Sequence, residues 1–104
     1  MALPVRTPEQ RKADLEKAAR MRQARAELKE RLKAGTMTLP YVLSRAGDDV
    51  VAGIKVAALV QSMPGVGKVR ATQIMTRLGI AEDRRVRGLG PNQRAALEDE
   101  FAAA

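Results

Sequence analysis

Apolar positions fall along this chain in two regimes. Over the first third they are sparse. Leu15, Ala18, Ala19, Met21, Leu28 and Leu32 form a thin stripe among Arg, Lys, Glu, Gln and Ala. No Pro or Gly interrupts the run from Pro8 to Ala34, and the residues filling it are strong helix formers. Thr7-Pro8-Glu9-Gln10 reads as the start, with Thr7 as N-cap, Pro8 in the first helical position and Gln10 closing a capping box. Gly35 is a natural stop. Such a stripe predicts that only the C-terminal end, around Leu28 and Leu32, packs on a core, while the N-terminal half projects or docks lightly. Glu16 with Arg20, Glu27 with Arg31 and Asp14 with Lys17 stand at helical spacing and are expected to support an exposed helix.

From residue 36 onward the apolar residues cluster between glycines and prolines. Thr38 caps a short helix through Leu39, Val42 and Leu43, with Pro40 in its first turn, and Gly47-Asp48-Asp49 breaks it. The segment 50–54 has strand-like composition but no second strand to pair with, so it reads as a connection or a helical turn. A helix over 55–62 buries Val56, Leu59 and Val60, and 63–67 is a turn. A helix over 68–78 turns Val69, Ile74, Met75 and Leu78 inward and is closed by Gly79. Residues 80–90 make a long irregular connection, and 91–101 a last helix with Ala95, Leu97 and Phe101 as its apolar members. Residues 102–104 are expected to fray. The fold class is all-α: a basic N-terminal helix over 1–35, then a compact helical domain over 36–104 that needs the end of the long helix to complete its small core.

Composition narrows the chemistry. The 104 residues hold 19 Lys+Arg against 12 Asp+Glu, a formal charge of +7, with no Cys, His or Trp and only Tyr41 and Phe101 as aromatics. Disulfides, thiol nucleophiles, imidazole bases, Ser-His-Asp triads and Cys/His zinc sites are excluded; no other catalytic or metal-binding constellation is read in the chain, and no enzyme is expected. The longest apolar run, 56–60, is far short of the ~20 residues that cross a bilayer. Met1-Ala2-Leu3-Pro4 shows no apolar signal-peptide core, so a cytoplasmic location is expected. The charge calls for a polyanion. Proteins that bind single strands stack bases on aromatic rings, and this chain has almost none, so duplex recognition through the backbone is the better fit. The first 35 residues carry 10 Lys+Arg and 5 Asp+Glu, a balance of +5 that leaves +2 for the rest.

Two segments concentrate candidate contacts. In Pro64-Gly65-Val66-Gly67-Lys68-Val69-Arg70 one helix ends and the next begins across a Gly-x-Gly turn. The N–H groups of Val66, Gly67 and Lys68 are expected to face outward at a helix N-terminus, where a phosphate oxygen is stabilised, with Lys68 and Arg70 adding charge. A P-loop would need Gly where Ser62 stands and Ser or Thr where Val69 stands, and a dinucleotide fingerprint would need Gly at Arg70. Pro64 either stops the preceding helix or wedges between base pairs. In Arg84-Arg85-Val86-Arg87-Gly88-Leu89-Gly90 three arginines share four positions, with Val86 and Leu89 as inward anchors. Arginine suits phosphate forks and narrow minor grooves. Gly88, Gly90 and Asn92 add backbone donors at the next helix start. A third surface lies on the long helix, where Arg22, Arg25 and Lys29 share a face with Arg20 nearby; it is either a second DNA contact or a solvated helix face.

These residues resemble a known family. The run from Met63-Pro64-Gly65-Val66-Gly67-Lys68, through Gly79-Ile80-Ala81-Glu82-Asp83 and Arg84-Arg85-Val86-Arg87, to Leu89 and Asn92-Gln93 looks like the helix-two-turns-helix module. That module occurs in ribosomal small-subunit protein S13 and in formamidopyrimidine-type DNA glycosylases. The whole chain resembles the actinobacterial integration host factors. The resemblance implies a monomeric, nucleoid-associated protein without cofactor or small-molecule substrate. It would bind double-stranded DNA with little sequence preference, bend or constrain it, and serve nucleoid compaction, DNA topology and phage integration. The implied contacts are Pro64, Gly65, Gly67, Lys68, Arg84, Arg85 and Arg87. The alternative is an S13-like protein that binds ribosomal RNA, although the acidic-then-neutral ending Glu98-Asp99-Glu100-Phe101-Ala102-Ala103-Ala104 is unlike a basic S13-type tail. A glycosylase would need a Pro nucleophile followed by Glu after the first Met, and here Ala2 and Leu3 stand there.

Overall fold

The computed structural model describes residues 5–102, so the expectations for 1–4 and for fraying at 103–104 lie outside the described residues. Helix α1 spans Pro8–Ala34 and begins with the predicted capping box. Thr7 Oγ1 accepts from the Gln10 N–H at 3.1 Å, and Gln10 Oε1 accepts from the Thr7 N–H at 2.8 Å. At the other end Gly35 turns left-handed, φ +77°, and the Gly35 and Thr36 N–H groups close on the carbonyls of Leu32 and Arg31. A Cβ would strain that turn.

Five shorter helices follow: α2 (Leu39–Ser44), α3 (Asp49–Ala52), α4 (Val56–Gln61), α5 (Lys68–Arg77) and α6 (Pro91–Glu100). Thr38 caps α2, its Oγ1 accepting from the Tyr41 N–H at 3.3 Å. Asp48, expected to break a helix, also starts one. Its Oδ1 accepts from the Val50 N–H at 2.8 Å, making 49–52 the helical turn of the two readings allowed there.

The connection over 80–90 is more ordered than expected. Lys55 and Arg85 form an isolated antiparallel bridge, with the Val56 N–H donating to the Arg84 carbonyl and the Val86 N–H to the Ile54 carbonyl, both at 2.9 Å. The residues after 53 therefore do find a pairing partner, one bridge long, far along the chain. A 3₁₀ turn over Val86–Gly88 follows, and Ile80 and Val86 are buried as anchors.

Among the described residues the core is wholly apolar. Leu32, Leu39, Leu43, Leu59, Val60, Met75 and Leu97 are covered completely or nearly so. Leu32 is the buried residue of α1, with Leu28 half-buried beside it, as the thin stripe implied. The 27 residues of α1 measure about 40 Å at 1.5 Å each, against a longest molecular dimension of 52 Å. Its first half stands in solvent, with Leu15 69% exposed.

One inward assignment fails. Val69 is 73% exposed, because the buried face of α5 is set by Ala71, Ile74 and Met75. Val69 lies five residues before Ile74, about 140° round the helix. Ala95, one of the apolar members of α6, is exposed, two residues out of phase with buried Leu97. None of the three expected ion pairs on α1 forms among the described residues; Asp14 pairs instead with Arg6, which folds back along the helix.

Candidate nucleic-acid interface

The start of α5 is built by the turn that leaves α4. The Met63 N–H closes on the Val60 carbonyl and the Val66 N–H on the Met63 carbonyl, both at 3.1 Å, while Gly65 reverses the chain at φ +74°. Pro64 and Gly65 are exposed at the tip and Val66 tucks partly under it. Gly67, the N-cap, has ordinary extended backbone, and a Cβ there would meet nothing within 4 Å. Glycine at this position acts by lacking a side-chain oxygen. With no such cap, the N–H groups of Gly67, Lys68, Val69 and Arg70 have no acceptor among the described residues. The free donors therefore sit further into the helix than expected, since Val66 spends its N–H inside the turn. Open donors at the positive end of a helix dipole favour an anion.

Lys68 and Arg70 leave α5 on different sides. Lys68 borders a groove with Lys55, Glu82 and Asp83. The charge of Arg70 reaches Glu100, whose carboxyl lies below the usual carboxylate range. The main cause there is the hydrogen bond from Arg77; partial desolvation opposes it, and the charges of Arg77 and Arg70 add to it.

The arginine loop is held by its own side chains. Arg84 Nη1 donates to the Gly88 carbonyl at 2.8 Å, and a Cβ on Gly88 would meet the Arg84 stem at 3.2 Å. Arg85 Nη1 donates to the Gly53 carbonyl. Arg87 is exposed and borders a separate groove with Arg94. Of the expected backbone donors, Gly88 gives its N–H to Arg85 at 2.8 Å and Gly90 to Gln93 Oε1 at 3.1 Å. Only Asn92, in the first turn of α6, keeps a free N–H among the described residues.

On α1 the four candidates part company. Arg20 and Arg22 are exposed. Arg25 is partly buried, and its Nε donates to the Val50 carbonyl at 3.0 Å, tying α1 to α3. Its guanidinium covers Gly53 so closely that a Cβ there would lie 2.6 Å from Nη2. Arg25 is thus a structural tie as well as a surface charge. Lys29 and Arg25 face Lys55 and Arg85 across one cleft. Lys55 escaped the sequence reading although it borders both this cleft and the Lys68 groove. Its position just before an apolar helix start was the only signal in the sequence; the bridge to Arg85 that gives it meaning is tertiary.

A family model described as "S13-like H2TH domain" matches residues 32–101. The integration host factor of Streptomyces coelicolor is 60% identical over 104 residues, covering 99% of this chain and 97% of that protein. The integration host factor of Mycobacterium tuberculosis is 57% identical over 105 residues, with both chains covered completely. The chain belongs to the actinobacterial integration host factor family. A solved structure described as sIHF bound to an 8 bp palindromic DNA superposes with a TM-score of 0.81 at 58% identity, covering 84% of this chain and 99% of that one. The H2TH match opens at Leu32, the buried residue of α1, so the family's domain takes in the packed end of that helix together with the α5 turn and the arginine loop. The similarity to the two integration host factors also runs through the solvent-exposed half of α1.

Proposed function

We propose that this integration host factor family member is a nucleoid-associated, non-enzymatic protein. It binds double-stranded DNA with little sequence preference, bends or constrains it, and so serves nucleoid compaction, DNA topology and phage integration. The observation that carries the reading is the uncapped start of α5, with its free N–H groups at 67–70 flanked by Lys68 and Lys55. Such donors recognise a phosphate, which every sequence shares, so affinity comes without base readout. Arg84, Arg85 and Arg87 supply the neighbouring contacts, Asn92 a further backbone donor, and exposed Pro64 and Val69 the apolar atoms nearest the duplex. Arg20, Arg22, Arg25 and Lys29 form the candidate second surface. The relative whose structure is described as bound to a short DNA duplex, at 58% identity, supports this partner. The protein acts as a monomer within the nucleoid.

The S13-like character of the matched domain favours one rival, binding to ribosomal RNA. Fluorescence anisotropy with a labelled DNA duplex, chased by unlabelled duplex or by a ribosomal RNA fragment, separates the two. DNA binding displaced more readily by duplex than by RNA is expected. The reverse order would assign the surface to RNA. A ring-closure assay on short fragments checks bending, through faster closure with protein, and sedimentation checks the monomer.

A further inference from the structure

The cleft between α1 and the start of α4 has a volume of about 240 Å³ and gathers Arg25, Lys29, Lys55 and Arg85 around Gly53 and Ala58. Four cations from three separate segments face one concavity, and no carboxylate borders it among the described residues. None of the four forms an ion pair with another described residue. Like charges bordering one cleft repel one another, and an anion placed between them relieves all the pairs together. Two of the four are already fixed: Arg25 by its bond to Val50 and Arg85 by its bond to Gly53. Each guanidinium keeps further N–H groups to offer, so little freedom of these two side chains is lost on binding. Gly53 leaves room for the Arg25 guanidinium at the cleft, since a side chain there would displace it.

We infer that this cleft is a receptor for a compact, multiply charged phosphate group, of the kind carried by a nucleoside polyphosphate. The charge match selects the class. A duplex strand presents one charge per phosphate, spread along its axis. Four converging cations are neutralised by several charges on adjacent phosphates. Phosphate oxygens also suit the planar guanidinium fork. All four cations also belong to the proposed DNA surfaces, Lys55 and Arg85 to the first and Arg25 and Lys29 to the second, so an occupied cleft competes with DNA; that second half rests on the function proposed above.

Inorganic triphosphate is the probe, titrated into the full chain at about 0.15 M ionic strength to suppress diffuse attraction. Saturable one-to-one binding is expected, with the amide shifts in the NMR spectrum centred on Gly53, Ile54 and Lys55. Lys29→Gln combined with Lys55→Gln should weaken binding about tenfold or more, the loss of at least one charge-assisted hydrogen bond. Lys12→Gln combined with Lys17→Gln removes the same charge from the exposed half of α1 and should leave it unchanged. Equal weakening by both pairs, or shifts spread over every basic face, would overturn the receptor. In the second arm, triphosphate should release DNA from the wild-type protein more effectively than sodium chloride of equal ionic strength. Binding of both ligands without such release overturns the competition. A protein that takes triphosphate in the cleft yet ignores duplex DNA leaves the receptor standing and refutes the proposed function.

Discussion

Replacing Arg84, Arg85 and Arg87 together by Ala tests the division of labour in the arginine loop. The backbone bonds of Val56 to Arg84 and of Val86 to Ile54 do not involve the lost side chains, and neither does the burial of Val86. What disappears from the fold is the bond from Arg84 to Gly88 and that from Arg85 to Gly53, both exposed. At about 0.5–1.5 kcal/mol each, and toward the lower end at an exposed site, the loss of stability should stay near ~1 kcal/mol. The effect on DNA is of another order. If Lys55, Lys68, Arg70 and the three arginines each neutralise one phosphate, log K should fall against log[salt] with a slope of about −5.4, at 0.9 per phosphate. The triple variant should retain a slope of about −2.7. Between about 50 and 200 mM salt, wild-type affinity should drop by roughly 10³ and that of the variant by only roughly 40-fold. Anisotropy across that salt range reads the slope, and thermal melting by circular dichroism reads the fold. A slope that does not change would show that these arginines touch no phosphate. A collapse of the helical signal would make the loop structural instead.

Leu32→Ala should destabilise the protein by about 2–5 kcal/mol in a denaturant titration, because this fully buried side chain is where α1 enters the core. Gly53→Ala should be nearly neutral for stability. Its right-handed backbone suits Ala, which gains about 0.4–1 kcal/mol by restricting the unfolded chain, while the displaced Arg25 forfeits a hydrogen bond of similar size. A loss well above that in a chemical melt would mean the Arg25 guanidinium cannot move aside. Because the Glu100 carboxyl titrates below a free glutamate, its pairing with Arg77 contributes fully above the ordinary value of about 4.3 and is lost as pH falls through the lowered one. Glu100→Gln should flatten that part of the acid-stability profile, and an unaltered profile would show that the surface pair contributes nothing.

What the sequence determined by itself is local. The Thr7–Gln10 box, the Gly35 stop and the Thr38 cap are contests between a residue and its own backbone within a few positions, and each formed as its residue types dictate. The sparse stripe of α1 likewise announced a helix packed only at its C-terminal end, around Leu28 and Leu32, since apolar area is countable along a chain. The two Gly-rich segments could also be picked out, because glycine next to cations is a local signal. Tertiary structure decided the rest. Helical phase turned Val69 outward, and that phase is fixed by which face meets α4 rather than by the apolar residue itself. The donors at Val66 and Gly88 were consumed by turns whose hydrogen bonds depend on the path of the chain. Above all, Lys55 met Arg85 through a single bridge, and Arg25 reached across to Gly53. A convergence of four cations from distant segments leaves no periodic trace along the chain, so only the folded molecule shows where its positive charge gathers.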